Sequence, residues 1–413
     1  MRSPGVPSQT VYPAKEHARK TWEYVASAPL WGALAPAILV LKGAGAATAF
    51  FYAHSTGNVI YNALVSADGT RVISPFVVTP IGLGIQYRKN GWITSHSVTK
   101  FSGSYGWLDA SSLHASITGV TIGPDLFDAG VSADYFLLPN ESFYGTGNNT
   151  SSGRHTLFAI RSIGAELPLS RRIGSWGSVS LTPSMAQYRQ SHAHGDDHPP
   201  ILTFFSPQDV PGVSSRAVLG GVRGSIAIDR RDNSNRPVKG ILGEAGSGIF
   251  DEMRFDDIND DLARPLFGFA LAEGDVQGFI PLPWGPYRVL VLHSELQIQR
   301  QLPGMAIPFY LQSRLGSLET ARGIQRGRYT DRDRLVLSGE YRFPIWIIDR
   351  ASMDASLFFD AGQVAHTMFA DFGFGHFHPA GGFGIHLYAG EKSIAAISVG
   401  FSGSGVQAYF TLR

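Results

Sequence analysis

The chain has 413 residues, among them 48 glycines and no cysteine, and its formal net charge is +1. Charged residues make up only 16% of it, compared with about 25% in an average soluble domain. Nucleic-acid backbones are bound by proteins with a clear basic excess, so the balanced charge argues against a nucleic-acid partner. The absence of cysteine excludes a disulfide framework and a thiolate metal site.

Residues 1–78 are predicted to form a short N-terminal extension with one helix, at 15–24. The apolar stretch at 28–49 contains two prolines and a lysine, and proline interrupts helical hydrogen bonding. A secretory signal has a short basic segment directly before its apolar core, whereas 27 mixed residues precede this stretch. We therefore expect a periplasmic or interfacial lead-in here, with a signal peptide as the alternative.

From Val77 onward, segments of about ten residues alternate between apolar and polar side chains, and Gly, Pro, Asn, Asp and Ser clusters separate them. Val222 and Ile226, for example, lie on one face of a strand and Arg223 lies on the other. An arginine is tolerated inside a membrane strand when its face is wet. The pattern therefore predicts a lipid-facing outside and an aqueous lumen.

Counting these segments gives about sixteen strands, within the range of closed bacterial barrels. We predict an all-β fold, a closed transmembrane antiparallel β-barrel at 79–413. An unpaired strand edge has no water to satisfy it in hydrocarbon, so the last strand, at 403–412, is expected to pair with the first, near 79–89. A soluble β-sandwich or jelly roll would also alternate, but it would not require so many strands with charged residues on the second face.

Two loops contain residue types that bind divalent metals. The loop at 192–199 has three histidines and two aspartates, and the loop at 251–261 has six acidic residues. Ligands this close together on a flexible segment seldom preform a site, and the second loop lacks the EF-hand spacing. We interpret both as solvated surface loops and predict no metal and no cofactor.

Signatures of covalent catalysis are missing from the chain. There is no Gly-x-Ser-x-Gly elbow, and Ser402 and Ser404 belong to a predicted tight turn. The segment at 390–393 has the end of a phosphate-binding loop without its first glycine at the required spacing. We therefore predict that the chain has no catalytic residues and is not an enzyme.

Two acids near the C-terminus are predicted to point into the barrel. Glu340 has the opposite strand parity to Leu337, and Asp360 likewise opposes its apolar neighbours, so both face the same interior. One guanidinium group can bind two carboxylates, and Arg322 is followed by Gly323, which permits the tight backbone of a loop folded into a lumen. We predict that Arg322 contacts one or both acids. The alternative is that these side chains only brace the loop.

Three segments in the last third of the chain form an ordered set of motifs. They are an Arg-Gly loop, a Glu-Tyr-x-x-Pro strand end and a Phe-x-Asp-x-Gly strand, at 321–324, 340–344 and 358–362. In this order they resemble the BamA/TamA-type outer-membrane assembly and transport superfamily, which includes the bacterial surface antigen type of barrel. Ala321 and Ile324 depart from the larger aliphatic residue and the aromatic residue that the family prefers.

Two further segments support the same resemblance. Residues 143–149 are similar to the family's Gly-x-Gly-Asn segment. Residues 229–240 are similar to its Arg-Asp-Asn turn ending in proline and glycine, and the matching residues are Arg231, Asp232, Asn233, Pro237 and Gly240.

The resemblance implies an outer-membrane protein of a Gram-negative-type envelope that inserts other barrels or passes polypeptides without covalent chemistry. It would use a lumen loop held by Arg322, Gly323, Glu340 and Asp360, together with a weak seam between the first and last strands. Expected partners are outer-membrane lipid, unfolded outer-membrane or secreted polypeptides, and a separate periplasmic protein. The last is expected because residues 1–78 are too short for the usual polypeptide-transport-associated domains. A passive porin-like channel or transporter is the alternative. An envelope lipid hydrolase is a third hypothesis, disfavoured by the missing nucleophile motif.

Overall fold

The computed structural model describes residues 64–412, with gaps at 67, 79–81, 107–108, 124–126, 194–197, 255–264, 349–350 and 391. Its strands are β1 (Arg71–Val78), β2 (Gly82–Asn90), β3 (Val98–Tyr105), β4 (Ser111–Ile122), β5 (Phe127–Phe143), β6 (Thr156–Glu166), β7 (Leu169–Ile173), β8 (Gly177–His192), β9 (Arg216–Asp229), β10 (Gly240–Met253), β11 (Gly268–Pro281), β12 (Val289–Gln301), β13 (Ser313–Leu315), β14 (Tyr329–Asp331), β15 (Asp333–Ile348), β16 (Ala351–Ala365), β17 (His378–Ala389), β18 (Lys392–Ser402) and β19 (Gly405–Leu412).

The helical elements within the described ranges are short. They comprise one α-helical turn, α1 (Met368–Asp371), and 3₁₀ turns at Ser152–Arg154, Ile201–Thr203, Phe309–Leu311 and Phe374–His376. None of the helices in the described part of the chain has the length and hydrophobicity needed to cross a membrane. The helix predicted at 15–24, like the rest of residues 1–63, lies outside the described residues and stays a prediction. The predicted boundary at 78 is wrong, because Arg71–Val78 is already a barrel strand.

The strands form one antiparallel barrel in which sequence neighbours pair. The sheet has 17 strand segments, and β6 and β7 lie end to end because both pair with β5 and β8. The barrel therefore has 16 strand positions, as the sequence predicts. β13 and β14 form a separate two-stranded sheet within the connection between β12 and β15.

The barrel closes where β1 meets β19, but the predicted first strand is wrong. β19 pairs with β1 through Val77 with Leu412 and Val78 with Thr411. The segment expected to come first, near 79–89, corresponds to β2 and is the second strand. Pro75 lies in the middle of β1, and a proline at such a position in the sequence argues against a central strand. The proline is tolerated here because β1 is the first strand, at the closure of the barrel.

Side chains alternate between the outside and the lumen as the sequence predicts. On β9, the side chain of Ile226 faces outward and is 55% exposed. Arg223, on the same strand with the opposite parity, faces inward. Its Nη2 donates to Glu244 Oε1 at 2.7 Å, and its Nε donates to Glu273. The charge on the inner face is thus neutralised by acids on neighbouring strands.

The two ends of the barrel differ in the length of their connections. One end, the turn end, has short connections such as 174–176, and β1 begins and β19 ends there. The opposite end, the loop end, has the long connections at 193–215, 254–267 and 302–332. In bacterial outer-membrane barrels the short turns face the periplasm and the long loops face outward, which orients this chain in the membrane.

Candidate functional site

Residues 302–332, between β12 and β15, fold back into the barrel, and we call this segment the lumen loop. Near its beginning, Phe309 and Tyr310 pack against Phe143 and Phe158 in a buried cluster. Farther along, the loop packs against inward-facing residues of three barrel strands, and the members of this second buried cluster are Leu315, Ala321, Ile324, Val336, Val364 and Ala380. The small Ala321 and the aliphatic Ile324, which depart from the family motif, are both fully enclosed there.

Arg322 at the tip of the lumen loop reaches both acids that face the interior. Its Nε and Nη2 donate to the two carboxylate oxygens of Asp360, each at 2.9 Å, and its backbone N–H donates to the same carboxylate at 2.9 Å. Its Nη1 donates to Glu340 Oε2. Its Nη2 also donates to Ser338 Oγ at 3.2 Å, and the Ser338 hydroxyl donates to Asp360 Oδ1 at 2.6 Å. We call Arg322, Ser338, Glu340 and Asp360 the Arg322 cluster.

The Arg322 cluster is shielded from water. The side chain of Arg322 is 12% exposed, and that of Asp360 is completely buried. The guanidinium group also lies over the ring of Phe358, with its Cζ 3.6 Å from the ring centroid. Burial alone would lower the pKa of Arg322, but the hydrogen bonds and charges of Asp360 and Glu340 outweigh it and raise that pKa above its ordinary value.

Glu340 links the cluster to a second cation on the barrel wall. Its Oε1 accepts a hydrogen bond from Arg342 Nε at 2.5 Å and lies 3.5 Å from His386 Nε2. Each carboxylate oxygen of Glu340 therefore faces a different arginine. A buried carboxylate held on both sides has little freedom to move, so it offers the loop arginine a fixed partner.

Gly323 allows the tip of the lumen loop to touch the last two strands of the barrel. Its φ is +98°, and a Cβ at this position would lie 2.7 Å from the carbonyl carbon of Gly400 on β18. Its carbonyl oxygen accepts a hydrogen bond from the Ser402 hydroxyl at 2.6 Å, and its backbone lies near the Tyr409 hydroxyl on β19. The loop is thus in direct contact with the strand that closes the barrel.

A second ionic contact holds the lumen loop from the opposite wall. Glu141 on β5 is buried and accepts from Arg314 Nη1 at 2.7 Å and from Arg326 Nε at 3.1 Å. A β-bulge between Leu138 and Glu141 shifts the register of β5 against β6. Sequence alternation did not single out this acid, because a bulge changes the parity. The density of arginines in the loop was the available signal.

The segment at 143–149, matched to a family motif from the sequence, lies against both the lumen loop and β16. The side-chain amide of Asn148 donates to the Val364 carbonyl at 2.5 Å, and its oxygen accepts from the Val364 N–H at 3.0 Å. Gly147 N–H donates to the Thr330 carbonyl at 2.8 Å. Tyr144 donates from its hydroxyl to Gln325 Oε1 at 2.8 Å. This segment therefore fixes the far side of the loop.

The motif at 229–240 forms the turn between β9 and β10 at the turn end. Asp232 Oδ1 accepts from the N–H groups of Val238 and Lys239, at 3.0 and 3.1 Å. Gly240 has a φ of +120°, and a Cβ there would lie 2.2 Å from the Arg230 carbonyl oxygen. Arg231 pairs with Asp229 at 2.7 Å on the surface. These contacts give the motif a structural role as a tight turn.

Two other residues of the same turn region complete its geometry, and a third was not foreseen. Asn233 Oδ1 accepts from the N–H groups of Asn235 and Arg236. Pro237 follows, next to a small cleft that Arg236 and Asp354 line. Arg236 donates to Asp354 on β16 through Nε at 3.0 Å and Nη2 at 2.5 Å, and both side chains are almost completely buried. The turn is thereby tied to the barrel wall.

Among the residues that the structure describes, no group of three or more His, Asp or Glu side chains is arranged to hold a metal ion. Residues 194–197 and 255–264 lie outside the described ranges, and they include half of the first predicted surface loop and most of the second. His192 ends β8, and residues 251–253 end β10. The prediction that these loops are solvated and bind no metal therefore stays a prediction.

Residues 99–387, more than half of the chain, match the Omp85 superfamily domain. The chain belongs to the Omp85 superfamily. This membership confirms the resemblance drawn from the sequence and makes the chain an outer-membrane β-barrel of a Gram-negative-type envelope.

Solved Omp85-type structures share this fold. One is BamA from Haemophilus ducreyi lacking POTRA domains 1-3, with a TM-score of 0.58, 13% identity, and coverage of 83% of this chain and 70% of that one. Another is CdiB from Escherichia coli, with a TM-score of 0.55, 13% identity, and coverage of 82% of this chain and 61% of that one. At this identity the likeness concerns the fold. No curated protein sequence matches the chain.

Proposed function

We propose that this Omp85 barrel inserts or passes polypeptides at the outer membrane without covalent chemistry, by opening the junction between β1 and β19 under the control of the lumen loop. The observation that carries the proposal is the contact of Gly323 with β18 and β19, made by the same loop tip that Arg322 fixes to Asp360 and Glu340. Expected clients are unfolded outer-membrane or secreted polypeptides, and a separate periplasmic protein would deliver them.

The β1–β19 junction is suited to opening because it is short. Among the described residues it consists of two paired positions, whereas β1 and β2 pair at eight, from Arg71 with Lys89 to Val78 with Gly82. Each backbone hydrogen bond contributes roughly 0.5–1.5 kcal/mol net in water and more where water is excluded. Separating β19 from β1 therefore costs less than separating any long strand pair. A client strand could then pair with the exposed edge by β-augmentation.

The lumen loop is suited to holding the closing strands in position. Its tip is fixed to β15 and β16 by the charge-assisted bonds of Arg322, and its flank is fixed to β5 by Glu141. The backbone of Arg322 and Gly323 then lies against Gly400 on β18, and the Gly323 carbonyl accepts a hydrogen bond from Ser402 on the same strand. A client that displaces the loop tip would release the last strands, and a client that opens the last strands would loosen the tip.

The test is an insertion assay in liposomes that contain the purified chain and an unfolded outer-membrane barrel, with planar-bilayer conductance measured on the same preparation. The proposal expects accelerated client insertion and small or transient conductance. A large, steady conductance without any acceleration of insertion would favour the porin-like channel instead. Arg322→Ala should slow client insertion. Arg332→Ala is its matched control, because Arg332 lies at the end of the same loop and hydrogen-bonds Gln301 at an exposed site.

A further inference from the structure

Three arginines occupy adjacent positions on neighbouring strands of the barrel. Arg161 on β6 is directly opposite Arg189 on β8, and Arg189 is directly opposite Arg216 on β9. Like charges placed opposite each other across strands destabilise a sheet. A row of three cations is therefore an arrangement that calls for an anion from outside the sheet. We call these residues the arginine row.

The arginine row is on the lipid-facing surface of the barrel. The residues on either side of Arg161 in the chain, Ile160 and Ser162, are both 5% exposed and face the interior. Arg161 and Arg189 are exposed, and they share their face with Ile163, which is 58% exposed, and Met185, which is 48% exposed. Arg216 has the same parity on β9 as the outward-facing Ile226.

The depth of the arginine row in the membrane follows from its distance to Arg171, farther along the same strand position (β6 and β7). Outward-facing Ile163, Leu167 and Leu169 separate Arg161 near the loop end from Arg171 near the turn end, in unbroken register against β8. Ten residues of strand measure about 33 Å, and a tilt of about 40° reduces this to roughly 25 Å along the membrane normal, the height of the apolar band of such barrels. The arginine row therefore lies at the boundary of the outer leaflet, where lipid headgroups are.

Two of the three arginines have no acidic partner among the described residues. No acid among the described residues forms an ion pair with Arg161 or Arg189. Arg216 donates to the neutral Gln187 at 3.2 Å, which positions its guanidinium group on the same outward face. The outward acid on the next strand, Asp251, is opposite Gly220, two outward positions nearer the middle of the membrane than Arg216.

We propose that the arginine row binds the phosphate group of a lipid in the outer leaflet. Guanidinium groups bind phosphate oxygens in bidentate fashion, and basic clusters at the membrane surface recruit anionic headgroups. The apolar surface below the row, with Ile163 and Met185, would contact the acyl chains of the same lipid. This site faces outward, on the other side of the barrel wall from the beginning of the lumen loop, and it holds whether or not the proposed insertion activity does.

The experiment measures lipid binding to the detergent-solubilised full chain by native mass spectrometry. The probes are diphosphorylated lipid A and the same lipid after removal of its phosphates. We expect the phosphorylated form to bind more tightly, and replacing all three arginines by glutamine to weaken its binding roughly a hundredfold, about fivefold for each arginine. Arg171→Gln, an outward arginine at the opposite boundary, is the matched control and should leave binding unchanged.

Several results would overturn the proposal. Equal binding of the two lipids, or wild-type binding by the triple variant, would show that the row does not recognise phosphate. Displacement of the lipid by millimolar inorganic phosphate would indicate a site for free anions instead of lipid. If the triple variant does not fold, Arg189→Gln alone must still weaken binding about fivefold. Arg189→Lys must weaken binding by a smaller factor, because lysine keeps the charge but lacks the planar fork.

Discussion

The side chain and backbone of Arg322 together donate three hydrogen bonds of 2.9 Å to the single carboxylate of Asp360. The two residues are 38 positions apart in the chain, one at the tip of a loop and the other on a barrel strand. Because Asp360 is completely buried, this carboxylate depends on Arg322 for its compensation. The pair therefore connects the position of the loop to the state of the barrel wall.

Replacing Arg322 by alanine should loosen the lumen loop more than it affects the fold. Two acids would remain close together in a partly dehydrated interior, and breaking a buried pair of this kind costs about 3 kcal/mol or more. Local opening should then increase the amide hydrogen exchange of residues 316–328 roughly a hundredfold, while the circular dichroism of the strands stays that of the wild type. Arg332→Ala is the control on the same loop. Unchanged exchange in Arg322→Ala would contradict the role given to the pair.

Exchanging the charges of Arg322 and Glu340 should restore part of what Arg322→Glu alone removes. In the double variant Arg322→Glu with Glu340→Arg, an opposite-charge pair is again available between loop and wall. Asp360 would still repel the carboxylate at position 322, and the planar fork would start from a different backbone position, so recovery should be incomplete. Hydrogen exchange of the loop is the measurement. If the loop is no better protected in the double variant than in Arg322→Glu, positions 322 and 340 do not pair directly.

Strand alternation was sufficient to predict the barrel, its approximate strand number and the inward direction of Glu340 and Asp360. It failed at β1, where Pro75 interrupts the pattern, and at Glu141, where a bulge changes the parity. It also could not show that Glu141 meets Arg314, since these residues are 173 positions apart. Contacts of that kind depend on how a long loop folds inside the closed barrel, and local periodicity carries no information about it.

Adding a methyl group between the loop tip and β18 should displace the tip. In Gly400→Ala the new Cβ would lie 2.5 Å from the Gly323 nitrogen and 2.6 Å from the Arg322 carbonyl carbon. Overpacking of this size costs about 1–3 kcal/mol, and it falls on the contact between the loop and the last strands. We expect faster hydrogen exchange at 321–324 and slower client insertion. Gly274→Ala, at a β11 site with no atom within 4 Å of the added Cβ, is the control.

Removing Arg236 should destabilise the barrel from its turn end. Arg236→Ala leaves Asp354 buried without its partner, which we expect to lower the free energy of unfolding by about 3–5 kcal/mol. Denaturant unfolding in micelles, followed by tryptophan fluorescence, measures the change. Arg231→Ala breaks only the more exposed pair with Asp229 and should cost less than about 1 kcal/mol. Equal effects of the two substitutions would show that the buried pair adds nothing.

The most direct test of the proposed mechanism is a reversible cross-link of the junction between β1 and β19. The chain has no cysteine, so Val77→Cys with Leu412→Cys, at directly paired positions, introduces a single disulfide there. Ser104→Cys with Ser112→Cys, whose native hydroxyl oxygens are 2.7 Å apart on β3 and β4, is the matched control. Client insertion into liposomes should fall to the rate without protein when the β1–β19 pair is oxidised, and reduction should restore it, while the control keeps the wild-type rate in both states. Wild-type insertion by the oxidised β1–β19 pair would contradict the account.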